Sequence, residues 1–343
     1  MTSPAAVSPR AATLPPPLAR SAGRRRAVRR ALLGWFEQHG RELDFRTAGR
    51  LDPWGVLVSE VMAQQTQISR VEERWPAFMT RFPTPAAMAA ATPADVIRAW
   101  RGLGYNRRAV GLHRAAVAIV AAGGTLPDEV AGLQALPGVG PYTARAVAAI
   151  AFGRPVAAVD VNVRRVVGRL EAGDPARLSA TQLQAAADSL VDPARPGAWT
   201  HAVMDLGATV CRPTRPSCPA CPINRWCAAA AGTAGMAPGA GSAASGTGAR
   251  ASSATAGPAS AAAGDRPTSP SAASFDLTSR WLRGRIVDRL RDAPEGTSVI
   301  LDGPFGAHSA GAVAAAVAGL ARDGILELDS AGRARLAGAR AAS

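Results

Sequence analysis

The chain has 343 residues, is 48% hydrophobic, and carries a formal net charge of +14; its 39 Lys+Arg residues are all Arg. That length allows two or three domains, and the charge predicts a polyanionic partner. The lack of Lys excludes chemistry that needs a side-chain amine to form a Schiff base.

Residues 1–23 read as a disordered basic leader. Residues 24–38 have helical spacing through Val28, Leu32, Trp35 and Phe36, with Gly40 as a stop. Residues 51–82 read as helices parted by a turn near Arg70. Thr92-Pro93-Ala94-Asp95 caps a helix ending near Gly102. Further helices are predicted over 106–122, 128–135, 142–152, 161–171, 179–190 and 197–208. No strand is expected before residue 228, so the fold class is all-α over a core spanning 24–227. Residues 228–273 turn to Ala, Gly, Ser, Thr and Pro without an apolar period and read as a flexible linker. Residues 274–343 recover a pattern. Helices over 277–290 and 310–322, then a hairpin of 325–328 with 334–336, suggest a small winged-helix-like module. No run of 18 or more apolar residues escapes charges and helix breakers, so no membrane span is expected. The first 20 residues lack the apolar stretch of a signal peptide. A cytoplasmic location is expected, with organellar targeting by the leader less favoured.

Two turns carry chemistry. Leu136-Pro137-Gly138-Val139-Gly140-Pro141-Tyr142 is a tight glycine turn opening a helix, where backbone N–H groups can hold a phosphate. Asp160, in Val159-Asp160-Val161-Asn162, opens the next helix; a lone carboxylate there can cap the helix or face a sugar. Cys211, Cys218, Cys221 and Cys227 are the only cysteines, spaced Cys-x6-Cys-x2-Cys-x5-Cys. Four thiolates so close can converge on one metal centre, and spacing leaves a [4Fe–4S] cluster and structural zinc both open. Two disulfides are the third option, disfavoured without a secretory signal.

The glycine turn, Asp160 and the cysteine spacing together resemble the helix-hairpin-helix, iron–sulfur DNA glycosylases of the endonuclease III superfamily. Three further segments are similar to motifs of the MutY-type adenine glycosylases within it. They are Ser59-Glu60-Val61-Met62-Ala63-Gln64-Gln65-Thr66-Gln67, Gly102-Leu103-Gly104-Tyr105 followed by Arg107 and Arg108, and Met204-Asp205-Leu206-Gly207-Ala208. The resemblance covers about residues 25–228. It implies a [4Fe–4S] cluster on the four cysteines and a monovalent cation held by backbone carbonyls around Leu136 and Val139. It implies a monomeric base-excision-repair enzyme whose partner is double-stranded DNA containing A·8-oxoguanine or A·G mispairs.

Roles follow from the same resemblance. Glu60 would protonate N7 of adenine, Asp160 would stabilise the oxocarbenium-like sugar, and Asn162 would orient Asp160 and water. Tyr142 stands where lyase-active relatives carry Lys; a Tyr can hydrogen-bond Asp160 but cannot make an imine, which implies a monofunctional enzyme. Gln64, Gln65, Thr66 and Tyr105 would fill the stack or contact the opposing lesion, with Leu136, Gly138, Val139 and Gly140 on the DNA. Arg41, Arg46 and Asp205 would form the adenine pocket. The residues alone allow plainer roles: a surface Glu, a packing Tyr, solvated Arg side chains and an N-capping Asp. Glu60 shares its helix with Val56, Leu57, Val61 and Met62, and burial there is expected to raise its pKa.

The sequence also departs from the family pattern. Ala63 replaces the usual Leu, Val161 replaces a common Gly, and Arg41-Glu42-Leu43-Asp44-Phe45-Arg46 stands where Arg-x-Leu-Pro-Trp-Arg is common. Residues 274–343 are too few for the Nudix-like domain that reads 8-oxoguanine in many relatives, and lack its pattern. The rival readings are a relative acting on another mismatch such as G·T, and a non-catalytic helix-hairpin-helix DNA-binding protein.

Overall fold

A computed structural model describes residues 21–47, 52–234 and 275–339. Most of the expected leader and linker therefore lies outside the described residues. Both boundaries shift where they can be seen. Ser21 caps the first helix by accepting from Arg24 N at 3.2 Å, so the helix begins at Ala22. After Cys227 the alanine run, a strong helix former, continues as a helix over Ala228–Ala234.

The described chain up to residue 234 is helical, without a strand. In order the helices are α1 (Ala22–His39), α2 (Asp44–Thr47), α3 (Pro53–Ala63), α4 (Ile68–Arg81), α5 (Pro85–Ala89), α6 (Pro93–Ala99), α7 (Arg107–Ala121), α8 (Val130–Gln134), α9 (Pro141–Ala151), α10 (Val161–Ala172), α11 (Ala180–Leu190), α12 (Pro196–Thr209) and α13 (Ala228–Ala234). The turn expected near Arg70 lies earlier. The chain breaks between Ala63 and Ile68, with Gln65 at φ 53°, and Arg70 sits inside α4. The Gln-Gln-Thr-Gln run offers no apolar face to carry a helix across. No helix among the described residues is long and apolar enough to cross a membrane.

Two apolar cores divide these helices. The first gathers Leu57, Met62, Phe78, Trp100, Leu112 and Val147 from α3 to α9. The second gathers Leu32, Leu33, Val163, Leu183, Trp199 and Leu206 from α1, α10, α11 and α12. Helix α9 packs on α3 in one lobe and on α12 in the other, so its N-terminal end lies at the seam.

The C-terminal segment holds α14 (Ser279–Asp292), α15 (Ala310–Arg322) and an antiparallel hairpin of β1 (Leu326–Leu328) with β2 (Ala334–Leu336). A bridge between Val299 and Ala334, with N···O distances of 2.7 and 2.8 Å, adds a third strand position that no alternation in the sequence announced. This segment is docked on the first lobe. Ile286, Val287 and Leu290 join the first core. Buried Arg291 donates to Ile97 O at 3.0 and 2.9 Å and to Asn106 Oδ1 at 2.8 Å. A buried guanidinium so fully bonded fixes the register of the contact.

Candidate active site

The sequence-predicted residues collect at the seam of the lobes. Helix α3 starts where Asp52 accepts from Trp54 N and Gly55 N at 3.2 and 3.0 Å, with Pro53 in its first turn. Leu57, Val58 and Val61 turn into the core, and Glu60 is left half-buried at the seam. Burial pushes the Glu60 carboxyl up to about 7. The Tyr142 hydrogen bond and the Arg46 charge pull against that rise, and the nearby Asp160 charge adds to it. The bond to Asp160 that a Tyr here can make is not the one formed. Tyr142 instead donates its hydroxyl to Glu60 Oε2 at 3.1 Å, because α9 packs directly on α3.

Asp160 is the N-cap of α10. One carboxylate oxygen accepts from Val163 N at 2.7 Å and the other from Asn162 Nδ2 at 3.0 Å. Asn162 Oδ1 in turn accepts from Arg165 at 2.7 Å. Arg165 also donates to Gly207 O and Cys211 O, both at 2.7 Å. A continuous chain of bonds thus ties Asp160 to the start of the cysteine loop. Gly207 leaves the room this needs, since a Cβ there would stand 2.6 Å from Asn162 Cβ. Gly207→Ala is expected to push Asn162 off Asp160 and cost about a hundredfold in single-turnover rate, with helical circular dichroism unchanged.

Asp205, on α12, is fully buried. It accepts from Arg41 N, Nε and Nη2 at 2.9, 2.9 and 2.6 Å and from both Arg46 terminal nitrogens at 3.0 Å. Burial alone would raise its pKa; the bonds from Arg46 and Arg41 outweigh it and hold the carboxyl below its usual value. One turn earlier on α12 sits His201, which sequence reasoning missed. Burial, with the Arg46 and Arg41 charges, pushes its pKa down to about 3 against the pull of Asp205, so the ring is neutral. Its Nδ1 is buried and unpartnered. The signal was available in the spacing, since residues four apart share a helix face.

Around the rim, Gln64 donates to Thr143 Oγ1 on α9 at 3.0 Å. Thr66 Oγ1 accepts from Arg108 at 2.9 Å. The Arg108 guanidinium also collects the carbonyls of Val61, Met62 and Gln64 at 2.8, 2.8 and 2.6 Å, so it caps the end of α3. Burial pushes its pKa down to about 10, which leaves it charged at neutral pH. Gln65 and Tyr105, on either side of it, hold left-handed backbone at φ 53° and 44°. Such strain in non-glycine residues concentrates at functional sites. In the glycine turn Leu136 and Val139 bury their side chains. Gly138, at φ 80°, lies so close to α7 that a Cβ would stand 3.0 Å from Gly111 Cα, whereas a Cβ on Gly140 would meet nothing.

The four cysteines are half-buried in the loop after α12, and Cys211, Cys221 and Cys227 pack against the second core. Arg169 points Nη1 at Cys211 Sγ, 3.4 Å away. Residues 211–227 contain no His, Asp or Glu, so thiolates are the only strong metal donors the loop offers. Among the described residues no three His, Cys, Asp or Glu side chains converge on a single ion. The all-sulfur donor set, with a guanidinium beside it, fits an anionic sulfur-bound centre.

Residues 58–193 match the HhH-GPD superfamily of base excision DNA repair proteins. The adenine DNA glycosylase of Mycolicibacterium smegmatis is 46% identical over 199 residues, which make up 57% of this chain and 68% of that protein. The chain belongs to the adenine DNA glycosylase family. The adenine DNA glycosylase of Mycobacterium tuberculosis is also 46% identical, over 57% of this chain and 66% of that protein. The chain thus spans just under two thirds of that relative's length. Among solved structures, a thermostable thymine-DNA glycosylase has a TM-score of 0.57 at 26% identity and covers 61% of this chain and 98% of its own. The superfamily match includes Glu60, Tyr142, Asp160 and Asn162 but ends before Asp205 and the cysteines.

Proposed function

We propose that this protein is a monofunctional adenine DNA glycosylase that acts, as a monomer, on adenine mispaired with 8-oxoguanine or guanine in duplex DNA. The observation that carries the reading is a carboxyl held near neutral pKa within electrostatic reach of a second, capped carboxylate. Two carboxyls in different environments divide glycosidic chemistry. Glu60 delivers a proton to the ring nitrogen of the extruded adenine and makes the base a neutral leaving group. Asp160 balances the positive charge that develops on the sugar. Water then takes the anomeric carbon and leaves an abasic site with the strand intact. With Tyr142 bonded to Glu60 and no Lys in the chain, no side-chain amine stands ready to form an imine. Arg41, Arg46, Asp205 and His201 form the wall offered to the base, and base extrusion is the usual route into such a pocket.

Cys211, Cys218, Cys221 and Cys227 would hold a [4Fe–4S] cluster, whose part here is structural: it would set the loop that Arg165 grips. The carbonyls around Leu136 and Val139 would hold a monovalent cation beside the DNA backbone at Gly138 and Gly140. The structural neighbour named as a thymine-DNA glycosylase favours a thymine reading. The nearly twofold higher identity to adenine glycosylases, and an acid suited to protonating a purine, weigh against it.

A duplex carrying A·8-oxoguanine tests the proposal. Free adenine should appear, with strand cleavage only after alkali, and Asp160→Asn should slow release about a hundredfold or more. Cleavage without alkali, release of thymine from a G·T duplex in place of adenine, or a wild-type rate in Asp160→Asn would each contradict it.

A further inference from the structure

An open cleft of about 800 Å³ lies within the C-terminal segment itself, between α14 and the stretch 293–306 that follows it. One wall is a stripe of α14, since Trp281, Arg285 and Arg289 are spaced four apart. The other is apolar, with Pro294, Val299 and Phe305. The cleft is preformed. Phe305 and His308 close a tight turn through two backbone bonds of 3.3 and 3.0 Å, with Gly306 at φ 59°. A Cβ on Gly306 would stand 3.1 Å from the Trp281 ring, so this turn lies directly on the indole. Val299 is held from behind by its bridge to Ala334.

The charge on this cleft is unbalanced. Its one carboxylate, Asp292, is bonded to Arg101 of the first lobe at 2.5 Å. Arg285 reaches Asp288 only at 3.8 Å, with 57% of its side chain exposed, and Arg291 already holds Asp288 at 3.0 Å. Arg289 pairs with no carboxylate among the described residues; its guanidinium lies 5.5 Å from the Phe305 ring centroid. An apolar wall facing two under-used guanidinium groups fits a ligand that is both anionic and apolar. Stacked bases fit less well, because a stacking platform needs open ring faces. His308 stacks on Trp281 at 5.7 Å between centroids, and Arg289 lies over Phe305. The chain itself does not supply the occupant. Its segments outside the described residues, 1–20, 48–51, 235–274 and 340–343, carry Asp265 as their single acid against six Arg. A second copy would bring the same net charge of +14.

We propose that this cleft docks an extended acidic peptide of another protein, in which carboxylates alternate with large apolar side chains. Arg285 and Arg289 stand about 6 Å apart along the helix axis. Carboxylates two positions apart on an extended chain are about 6.7 Å apart and point the same way, so each can meet one arginine. The apolar side chains between them point the other way, onto Phe305, Val299 and Pro294. This gives the C-terminal segment a role in recruiting a protein partner, separate from adenine removal and independent of it.

Fluorescence anisotropy of the full chain tests the site, with a fluorescein-labelled peptide Gly-Asp-Leu-Asp-Phe-Asp-Gly as the probe. Wild type should bind it saturably, and a peptide with Asn for each Asp at least about tenfold more weakly. Arg285→Ala and Arg289→Ala should each lower affinity about threefold to fivefold. Both side chains are exposed, so helical circular dichroism should not change. The double variant R285E/R289E should lose the acidic peptide and gain a peptide with Lys for each Asp. No saturation by wild type up to about 1 mM, equal affinity for the Asn peptide, or wild-type affinity in the double variant would each overturn the proposal. The same variants are titrated with an undamaged 20-base-pair duplex at several salt concentrations. Weaker duplex binding, with the salt slope lower by about one per arginine, would make these residues phosphate contacts and overturn the proposal whatever the peptide does.

Discussion

Glu60→Gln is expected to lower single-turnover adenine release about a thousandfold while raising stability at alkaline pH. The amide keeps the shape of the site, because Tyr142 can still donate to its oxygen. It loses the proton that the leaving base needs. The stability gain follows from the raised pKa. A carboxyl raised in the folded state has no penalty below its unfolded value of 4.5, where both states are protonated; the penalty grows as pH rises and is complete above about 7. Its ceiling is roughly 3 kcal/mol, and removing the charge removes it. Thermal melts of wild type and Glu60→Gln should therefore coincide near pH 4.5 and separate at pH 8, with the variant higher. Equal melting temperatures at both pH values would mean that Glu60 is not held in the environment described.

Asp205→Asn is expected to be the most damaging single change to stability in the site. Asp205 is fully buried and is the common acceptor for Arg41 and Arg46. An amide keeps one acceptor oxygen but turns an NH2 donor toward guanidinium donors, leaving two arginines without their counter-charge. Breaking one side of a buried ion pair costs about 3–5 kcal/mol. The loss should appear as a lower denaturant midpoint with an unchanged slope. On the proposed reading, in which these three side chains wall the base pocket, adenine release should fall with it. The sign of the pH dependence also follows. The Asp205 carboxyl is held below its usual value, so it stabilises the wild type above its unfolded pKa, and that contribution fades as pH falls through the folded one. The variant should therefore lose less than the wild type on acidification. An unfolding free energy within about 1 kcal/mol of wild type would show that the arginines find other partners.

The chemistry was legible where it is carried by short contiguous runs. Asp160 and the four cysteines stand out by local spacing, Glu60 only through the resemblance of its segment 59–67, and the N-cap role of Asp160 is a property of four consecutive residues. The helices were legible too, because an amphipathic period needs only one chain segment. What escaped depends on contacts between distant residues. Position in a motif leaves the partner of Tyr142 open, and its partner is chosen by how α9 packs on α3. Arg108 belongs to a recognisable motif with Gly102–Tyr105, but nothing in that motif shows it to be the cap of a helix that ends more than 40 positions earlier; it donates to Val61 O, 47 positions away. The docking of residues 275–339 could not be read at all, because the bonds of Arg291 to Ile97 and Asn106 span more than 180 positions. His201 lay within reach of a spacing argument from Asp205, but a lone His on an apolar helix gives no sign that one ring nitrogen will be left unpartnered.

A pH–rate profile of single-turnover adenine release, from about pH 5 to about pH 9 under saturating enzyme, tests the division of labour between Glu60 and Asp160 most directly. If protonated Glu60 is the acid, the rate falls as pH rises through about 7, and this limb disappears in Glu60→Gln, whose residual rate is flat there. A wild-type rate that stays level or climbs across the same interval would contradict it.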